Sequence, residues 1–218
     1  MSFDIIQADR TSFAAAIPEL ALILRDCVMN GAAVGFIPPL DLDAAAAFWQ
    51  AQASQVAAGE KLILLAVTRQ EARTVGTVTL ALAPQVNGSH RAEIAKMLVH
   101  PDARRQGIAS ALLRRAEEVA RGAGRRLLVL DTRQGDDAGR LYARLGWQSC
   151  GIIPDYALNG DGTSHATHVM YRQLPGPVPG LTVEATDPAQ PEAAGLLDAL
   201  SADLGRRFGS DGRAGFAG

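Results

Sequence analysis

Residues 99–109 read Val-His-Pro-Asp-Ala-Arg-Arg-Gln-Gly-Ile-Ala. The apolar run Glu93–Val99 enters this segment as a strand and His100-Pro101 closes it. Leu112, Leu113, Ala116, Val119 and Ala120 then lie on one face of a helix from about 108 to 122, which Gly122 and Gly124 end. A strand thus feeds a turn that opens an amphipathic helix. Such a turn aims free backbone N–H groups and the helix dipole at one point, which suits a phosphate or diphosphate. Gly107 lets the backbone approach a ligand, and Arg104 and Arg105 add positive charge. The competing reading is a solvated basic turn before an ordinary helix, because short glycine motifs recur by chance. Neither Gly-Lys-Ser/Thr nor Gly-x-Gly-x-x-Gly is present, so the turn gives little support to NTP or NAD.

Outward from the turn, Phe3–Ala8 reads as a strand. A helix capped by Thr11 or Ser12 carries Ile17, Leu20, Ala21, Leu24 and Val28 at helical spacing and stops at Gly31. Pro18 fits only if it lies near the first turn. Residues 30–40 form a loop. Asp41 or Asp43 caps an Ala-rich helix to about Ala58. Lys61–Thr68, Thr74–Leu82 and Glu93–Val99 are strands, with a turn at Asn87-Gly88. Arg126–Asp131 is a short apolar strand, Ala138–Leu145 a helix, and Trp147–Ile153 and Ala166–Tyr171 the last strands. The order β-α-α-β-β-β-α-β-α-β-β predicts an α/β fold with a mixed, largely antiparallel sheet flanked by helices. This domain spans 1–174. A Pro/Gly linker follows at 175–180, and an appendage at 181–218 holds a strand at Leu181–Ala185, a helix at Pro191–Arg207 and a glycine-rich end.

Composition bounds the function. The 218 residues are 48% hydrophobic, enough for a real core. A net charge of −2 with 5% aromatics argues against nucleic-acid binding. No apolar run is long enough to span a membrane and the start carries no secretory pattern, so a cytoplasmic protein is expected. Cys27 and Cys150 read as inert thiols. His165-x-x-His168 would point to opposite faces of a strand and nothing completes a metal site, so no metal is expected.

The pattern Arg104-x-x-Gly107-x-Ala109 after Val99-x-Pro101 resembles the Gln/Arg-x-x-Gly-x-Gly/Ala motif of the GNAT acetyltransferases, and Leu141-Tyr142-x-x-Leu145-Gly146-Trp147 looks like that family's LYxxxGF segment. The element order over residues 3–174 is also the family's. Within the family the likeness is greatest to the tabtoxin-resistance acetyltransferases, through Gly31-Ala-x-Val-Gly-Phe36, Asn87-Gly88 with Arg91-Ala92-Glu93, Leu130-Asp131-Thr132 and Pro154-x-Tyr156-Ala157. The resemblance implies a GNAT fold with acetyl-CoA as cosubstrate. It places Met97, Leu98, Val99, Arg104, Arg105, Gln106, Gly107, Ile108, Ala109, Ser110 and Tyr142 against that molecule. Gly135 stands where many members carry Asn three residues before the Ala of this helix. The appendage resembles the first strand and helix of a second, truncated GNAT unit; too short to close its own core, it would dock by its helix or stay loosely ordered.

Acetyl transfer to an alkylamine with pKa near 10.4 needs the neutral amine, a deficit of about 4.6 kcal/mol at pH 7. A base offsets this and an acid receives the leaving thiolate. Glu93, eleven residues before Arg104, is the first base candidate, since the family often places such a Glu there; otherwise it is a solvated Glu paired with Arg91 or Lys96. Asp131 ends its strand where the sheet is expected to splay, fit to bind an ammonium or relay a proton, or else to cap a turn. Tyr142, by resemblance, is the general acid. Phe36, Trp49, Asp155 and Tyr156 are the acceptor-pocket candidates, from the 30–40 loop, the second helix and a 154–158 loop. The expectation is N-acetyl transfer to a small, amino-acid-like toxin or antibiotic by direct attack in a ternary complex. Protein N-acetylation and acetyl-CoA sensing without turnover are the alternatives, and a homodimer is left open.

Overall fold

The computed structural model describes residues 2–176 and 190–208. The chain divides into two compact units, Met1–Gly176 and Pro177–Gly218. In the second, the described element is a helix, α6 (Pro191–Phe208), along which Arg206 pairs with Asp203 at 3.1 Å. The strand expected at 181–185 lies outside the described residues.

The first unit runs β1 (Phe3–Gln7), α1 (Arg10–Met29), α2 (Leu42–Gln50), α3 (Ala53–Ala57), β2 (Lys61–Thr68), β3 (Thr74–Leu82), β4 (Arg91–Val99), α4 (Ile108–Gly122), β5 (Leu127–Arg133), α5 (Asp137–Arg144), β6 (Gln148–Leu158) and β7 (Ser164–Gln173). Seven strands form one sheet in the order β1-β2-β3-β4-β5-β7-β6. Every neighbouring pair is antiparallel except β4–β5, which the α4 crossover makes parallel. The fold is therefore the mixed, mostly antiparallel α/β architecture the sequence predicts.

The unbroken apolar run of β2 has a simple cause: both faces are covered. Ile63 and Leu65 pack on α1 and α2, while Leu64 and Ala66 join the cluster under α4. Close packing of α4 leaves Gly76 little room. A Cβ there would meet Ile108 Cγ2 at 3.1 Å.

Local chemistry explains the departures. Asp9, not Thr11 or Ser12, caps α1: its carboxylate accepts from Ser12 N at 2.7 Å and Ser12 Oγ accepts from Asp9 N at 2.9 Å. Pro18 lies inside α1 rather than at its first turn, on the exposed side, where the carbonyl that loses its helix partner is open to solvent. The helix expected to reach Ala58 breaks in two. Gln52 Nε2 donates to Phe48 O at 3.2 Å, so the acceptor its own N–H would use is shared, and that N–H turns to Trp49 O instead. Finally, β6 continues through Pro154. Pro154 cannot donate to the ladder, and the register slips between Ile153 and Ala157, with Asp155 left-handed at φ +51°. The expected 154–158 loop is thus a bulge within a strand.

The parallel pairing of β4 with β5 lasts three residues only, Arg91↔Leu127, Ala92↔Leu128 and Glu93↔Val129. Beyond it β4 stays with β3 and β5 with β7, so the two strands part and open a cleft at their carboxyl ends.

Candidate active site

The cleft has a volume of about 590 Å³ and gathers Glu93, Lys96 and Met97 from β4, Asp131 and Arg133 from β5, and Tyr142 from α5. Phe36 and its loop close one side; Tyr156 and Leu158 of β6 close another. Glu93 is exposed and among the described residues has neither an ion pair nor a hydrogen bond, so the expected partners Arg91 and Lys96 do not hold it. Asp131 is oriented by the buried Thr167, whose hydroxyl donates to Asp131 Oδ2 at 3.0 Å.

Tyr142 is buried, its ring centroid 5.8 Å from that of Trp147. Its hydroxyl has no hydrogen-bond partner among the described residues. Burial, reinforced by the charges of Asp136 and Asp131, pushes its pKa well above the ordinary phenol value. The group is therefore a proton donor, not a phenolate, through the physiological range.

Lys96 was not foreseen. An extra residue in β4 faces β3 where Thr77↔Leu98 gives way to Thr79↔Ala95, and Lys96 takes the left-handed conformation there, φ +48°. Its ammonium sits 5.3 Å from the Phe48 ring centroid. Burial holds its pKa below the usual lysine range, helped by Lys61 and opposed by Glu93 and Asp131.

At the end of β4 lies the turn. Residues Pro101–Ala103 make a single 3-10 turn, and Asp102 N donates to His100 Nδ1 at 3.3 Å. That leaves His100 Nε2–H to donate to Asp26 Oδ2 at 3.2 Å. Arg104 Nε donates to Val99 O at 3.3 Å, and its Nη2 reaches Cys27 Sγ at 3.7 Å. Cys27 is buried and held protonated above its ordinary value, chiefly by burial. Arg105 and Gly107 are both left-handed, at φ +61° and +81°, and no side chain caps α4. The first-turn N–H groups of α4 are thus directed at the turn without a partner of their own. Arg104 and Arg105 in the same turn are exposed. This donor set fits an anionic diphosphate. Gly135 makes a left-handed turn before α5, where Arg140 Nη1 donates to its carbonyl at 3.1 Å.

Other candidates fall elsewhere. Trp49 is 0% exposed, packed edge-on to Phe13 and Phe48, with Nε1 donating to Leu20 O at 3.0 Å; it is a core residue and does not line the cleft. Asp155 turns away from the cleft and accepts from Ser164 Oγ. Leu98 and Ile108 bury their side chains in the two cores, leaving only their backbone to any ligand. Gln106, Ala109 and Ser110 are partly exposed at the turn and the first turn of α4. Besides Lys96, the cleft holds Arg133 and His165, which the sequence reading did not select. Arg133 was legible: it lies two residues after Asp131 on one strand and so shares its face. No group of three metal-ligating side chains occurs among the described residues, and no helix there is long and apolar enough to cross a membrane.

Known proteins share this fold. Among solved structures, a phosphinothricin acetyltransferase from Sinorhizobium meliloti in complex with AcCoA aligns with a TM-score of 0.67 at 20% identity, over 88% of this chain and 97% of that one. The yncA protein of Salmonella typhimurium, solved with its cofactor acetyl-CoA, aligns at 0.62 and 20% identity, over 86% and 99%. A ribosomal-protein-alanine N-acetyltransferase from Brucella melitensis aligns at 0.61 and 22% identity, over 78% and 99%. These likenesses carry the fold. The sequence model of the acetyltransferase (GNAT) family matches residues 26–147, more than half of the chain, and takes in the turn, Glu93, Asp131 and Tyr142. The chain belongs to the GNAT acetyltransferase family.

Proposed function

We propose that the protein is an acetyl-CoA-dependent N-acetyltransferase that acetylates the amine of a small molecule, of the amino-acid-like toxin or antibiotic kind, in the cytoplasm. The observation that carries this reading is the cleft between β4 and β5, in which two carboxylates and a buried, protonated Tyr142 stand together, with a turn after β4 whose free N–H groups suit a diphosphate. The S. meliloti and Salmonella structures, both described with acetyl-CoA, support the cosubstrate. The S. meliloti protein's name and the stretches shared with tabtoxin-resistance enzymes support the acceptor class.

Acetyl-CoA, when bound, supplies an acetyl thioester and a thiol leaving group. The first-turn N–H groups of α4, with Arg104, Arg105 and Gln106, would hold its diphosphate, and Met97 and Val99 would flank its arm. Glu93 accepts the proton of the acceptor ammonium at its carboxylate, directly or through water, while Asp131, fixed by Thr167, orients that ammonium. As the amine nitrogen bonds to the acetyl carbon and the carbon–sulfur bond breaks, Tyr142 would donate its hydroxyl proton to the sulfur, and the proton the nitrogen gives up would restore the hydroxyl. Direct attack is favoured because Cys27 is a buried thiol bonded to Val99 O, and Cys150 is outside the cleft.

The test is thiol release from acetyl-CoA against tabtoxinine-β-lactam, aminoglycosides, polyamines, free amino acids and short peptides. Turnover with a small amine is the expected result. Turnover with peptides alone would move the chain to protein acetylation. Cofactor binding without release from any member would overturn the enzyme reading in favour of a sensor.

A further inference from the structure

The cleft holds charges of both signs, and among the described residues two of its cations meet no carboxylate: Lys96, which lies over the Phe48 ring, and Arg133. Arg133 Nη2 donates to Asn159 Oδ1 and lies 3.3 Å from His165 Nδ1. Among the described residues no carboxylate pairs with it, and its Nε is buried without any partner. Arg125 Nε is also buried without a partner, but Arg125 lies outside the cleft, so Arg133 is the guanidinium so placed among the residues that line it. Asn159 Oδ1 also accepts from His165 Nδ1 at 2.9 Å, so one amide oxygen fixes both rings of donors. Burial and the Arg133 charge keep His165 below its ordinary pKa, which leaves the guanidinium as the cation of the cluster.

Position gives this group a use. Arg133 follows Asp131 by one strand repeat, about 7 Å along the same face. It also stands where the cleft continues into a second cavity of about 290 Å³ that shares Phe36, Leu158 and His165. A simple alkylamine would pair with Glu93 and Asp131 yet leave Arg133 without a counter-charge and its buried Nε without an acceptor. A polyamine would find Glu93, Asp131 and Asp136 in the cleft but would leave Arg133 without a counter-charge. A molecule with an ammonium at one end and an oxoanion at the other satisfies both sets.

We infer that the acceptor is a zwitterion whose carboxylate, or oxoanion of similar size, is bound by Arg133 with Asn159 and His165 as its supports. This deepens the acetyltransferase reading and rests on it. A forked guanidinium–carboxylate pair adds geometry as well as charge, which makes Arg133 a specificity-determining residue.

Norleucine, methionine and glutamine, each as the free amino acid, its amide and its decarboxylated amine, separate the amine from the anion. Thiol release from acetyl-CoA should favour the free acid over its two partners by about tenfold or more in kcat/KM in at least one family, the scale of a charged hydrogen bond. Arg133→Gln should bring that ratio near one, mainly through KM, and Arg133→Lys should restore part of it. Equal or better use of the amides and amines, or an equal loss on all three in Arg133→Gln, would overturn the inference and leave the acetyltransferase reading standing. If no amine releases thiol, that reading fails, and calorimetry of the free amino acids with CoA present decides the subsite alone. Binding that Arg133→Gln abolishes supports it, and no binding by any of them overturns it. Circular dichroism checks the fold of each variant. Should Arg133→Gln fail to fold, the wild-type comparison and Arg133→Lys still decide.

Discussion

The hydroxyl of Tyr142 opens on the cleft with no protein partner, and burial with two nearby carboxylates keeps it protonated. If Tyr142 is the acid proposed above, it acts on the leaving group and contributes little to holding the cosubstrate. Tyr142→Phe should therefore lower kcat by about 100-fold or more, with a much smaller change in KM for acetyl-CoA, read by steady-state thiol release. The same burial sets a pH signature on stability. The folded pKa lies above the unfolded value near 10, so this contribution is complete below pH 10. It is lost as pH rises further, because the unfolded chain releases its proton first. The stability gap between wild type and Tyr142→Phe should accordingly change little between pH 7 and 9 and shift against wild type above about pH 10, measured by urea unfolding. Glu93, Asp131 and Tyr142 could be selected from sequence because a motif frame and strand ends marked them. Lys96 could not: three residues after Glu93, it belongs to the opposite face of a regular strand, and only the extra residue in β4 turns it into the cleft. Trp49 misled for the reverse reason. An aromatic near a loop reads as a pocket wall, and only packing reveals that Phe13 and Phe48 enclose it.

Among the elements, those with a long apolar run or a clear apolar stripe were legible. Strands β2 and β3 and helix α4 begin and end where the sequence places them, because burial on two faces or along one stripe leaves no alternative register. The elements that escaped the reading depend on single hydrogen bonds. The α2–α3 break rests on the Gln52 side chain, and the passage of β6 through Pro154 rests on an edge strand's tolerance of a missing donor. The turn between β4 and α4 combines both sorts of information. Its composition was readable, but the left-handed Arg105 and Gly107 were not. Gly107 tests the turn as a unit. A Cβ there meets no atom within 4 Å, so Gly107→Ala adds no clash and its cost is the backbone alone. At φ +81° that cost is about 1 kcal/mol. If the α4 N–H groups hold the diphosphate, the variant should also raise KM for acetyl-CoA about tenfold as the loop relaxes toward negative φ, while kcat changes less. Loss of stability with unchanged KM would place the diphosphate elsewhere.

At the scale of the whole molecule, the question is how much of the chain the acetyltransferase fold needs. Both core clusters draw all their described members from between Phe3 and Leu174. The first lies between the sheet and α4, the second between the sheet and α1–α2, so among the described residues the core on both sides of β2–β4 is complete by Leu174, while β6 stays exposed. The last strand, β7, ends at Gln173 and is paired along its length with β5 and β6. Leu174 is 3% exposed, and its N–H donates to Arg126 O at 2.8 Å, which fastens the chain end onto the start of β5. A chain ended after Gly176 keeps every one of these contacts. It should therefore melt within about 3 °C of the full chain, a shift worth roughly 1 kcal/mol at this size, and keep kcat and KM for acetyl-CoA within about twofold. Scanning calorimetry and thiol release on the two chains settle it. A drop of 8 °C or more would mean that residues 177–218 contribute apolar contacts to the first unit. Unchanged melting with altered kinetics would instead give the appended helix a part in acceptor entry.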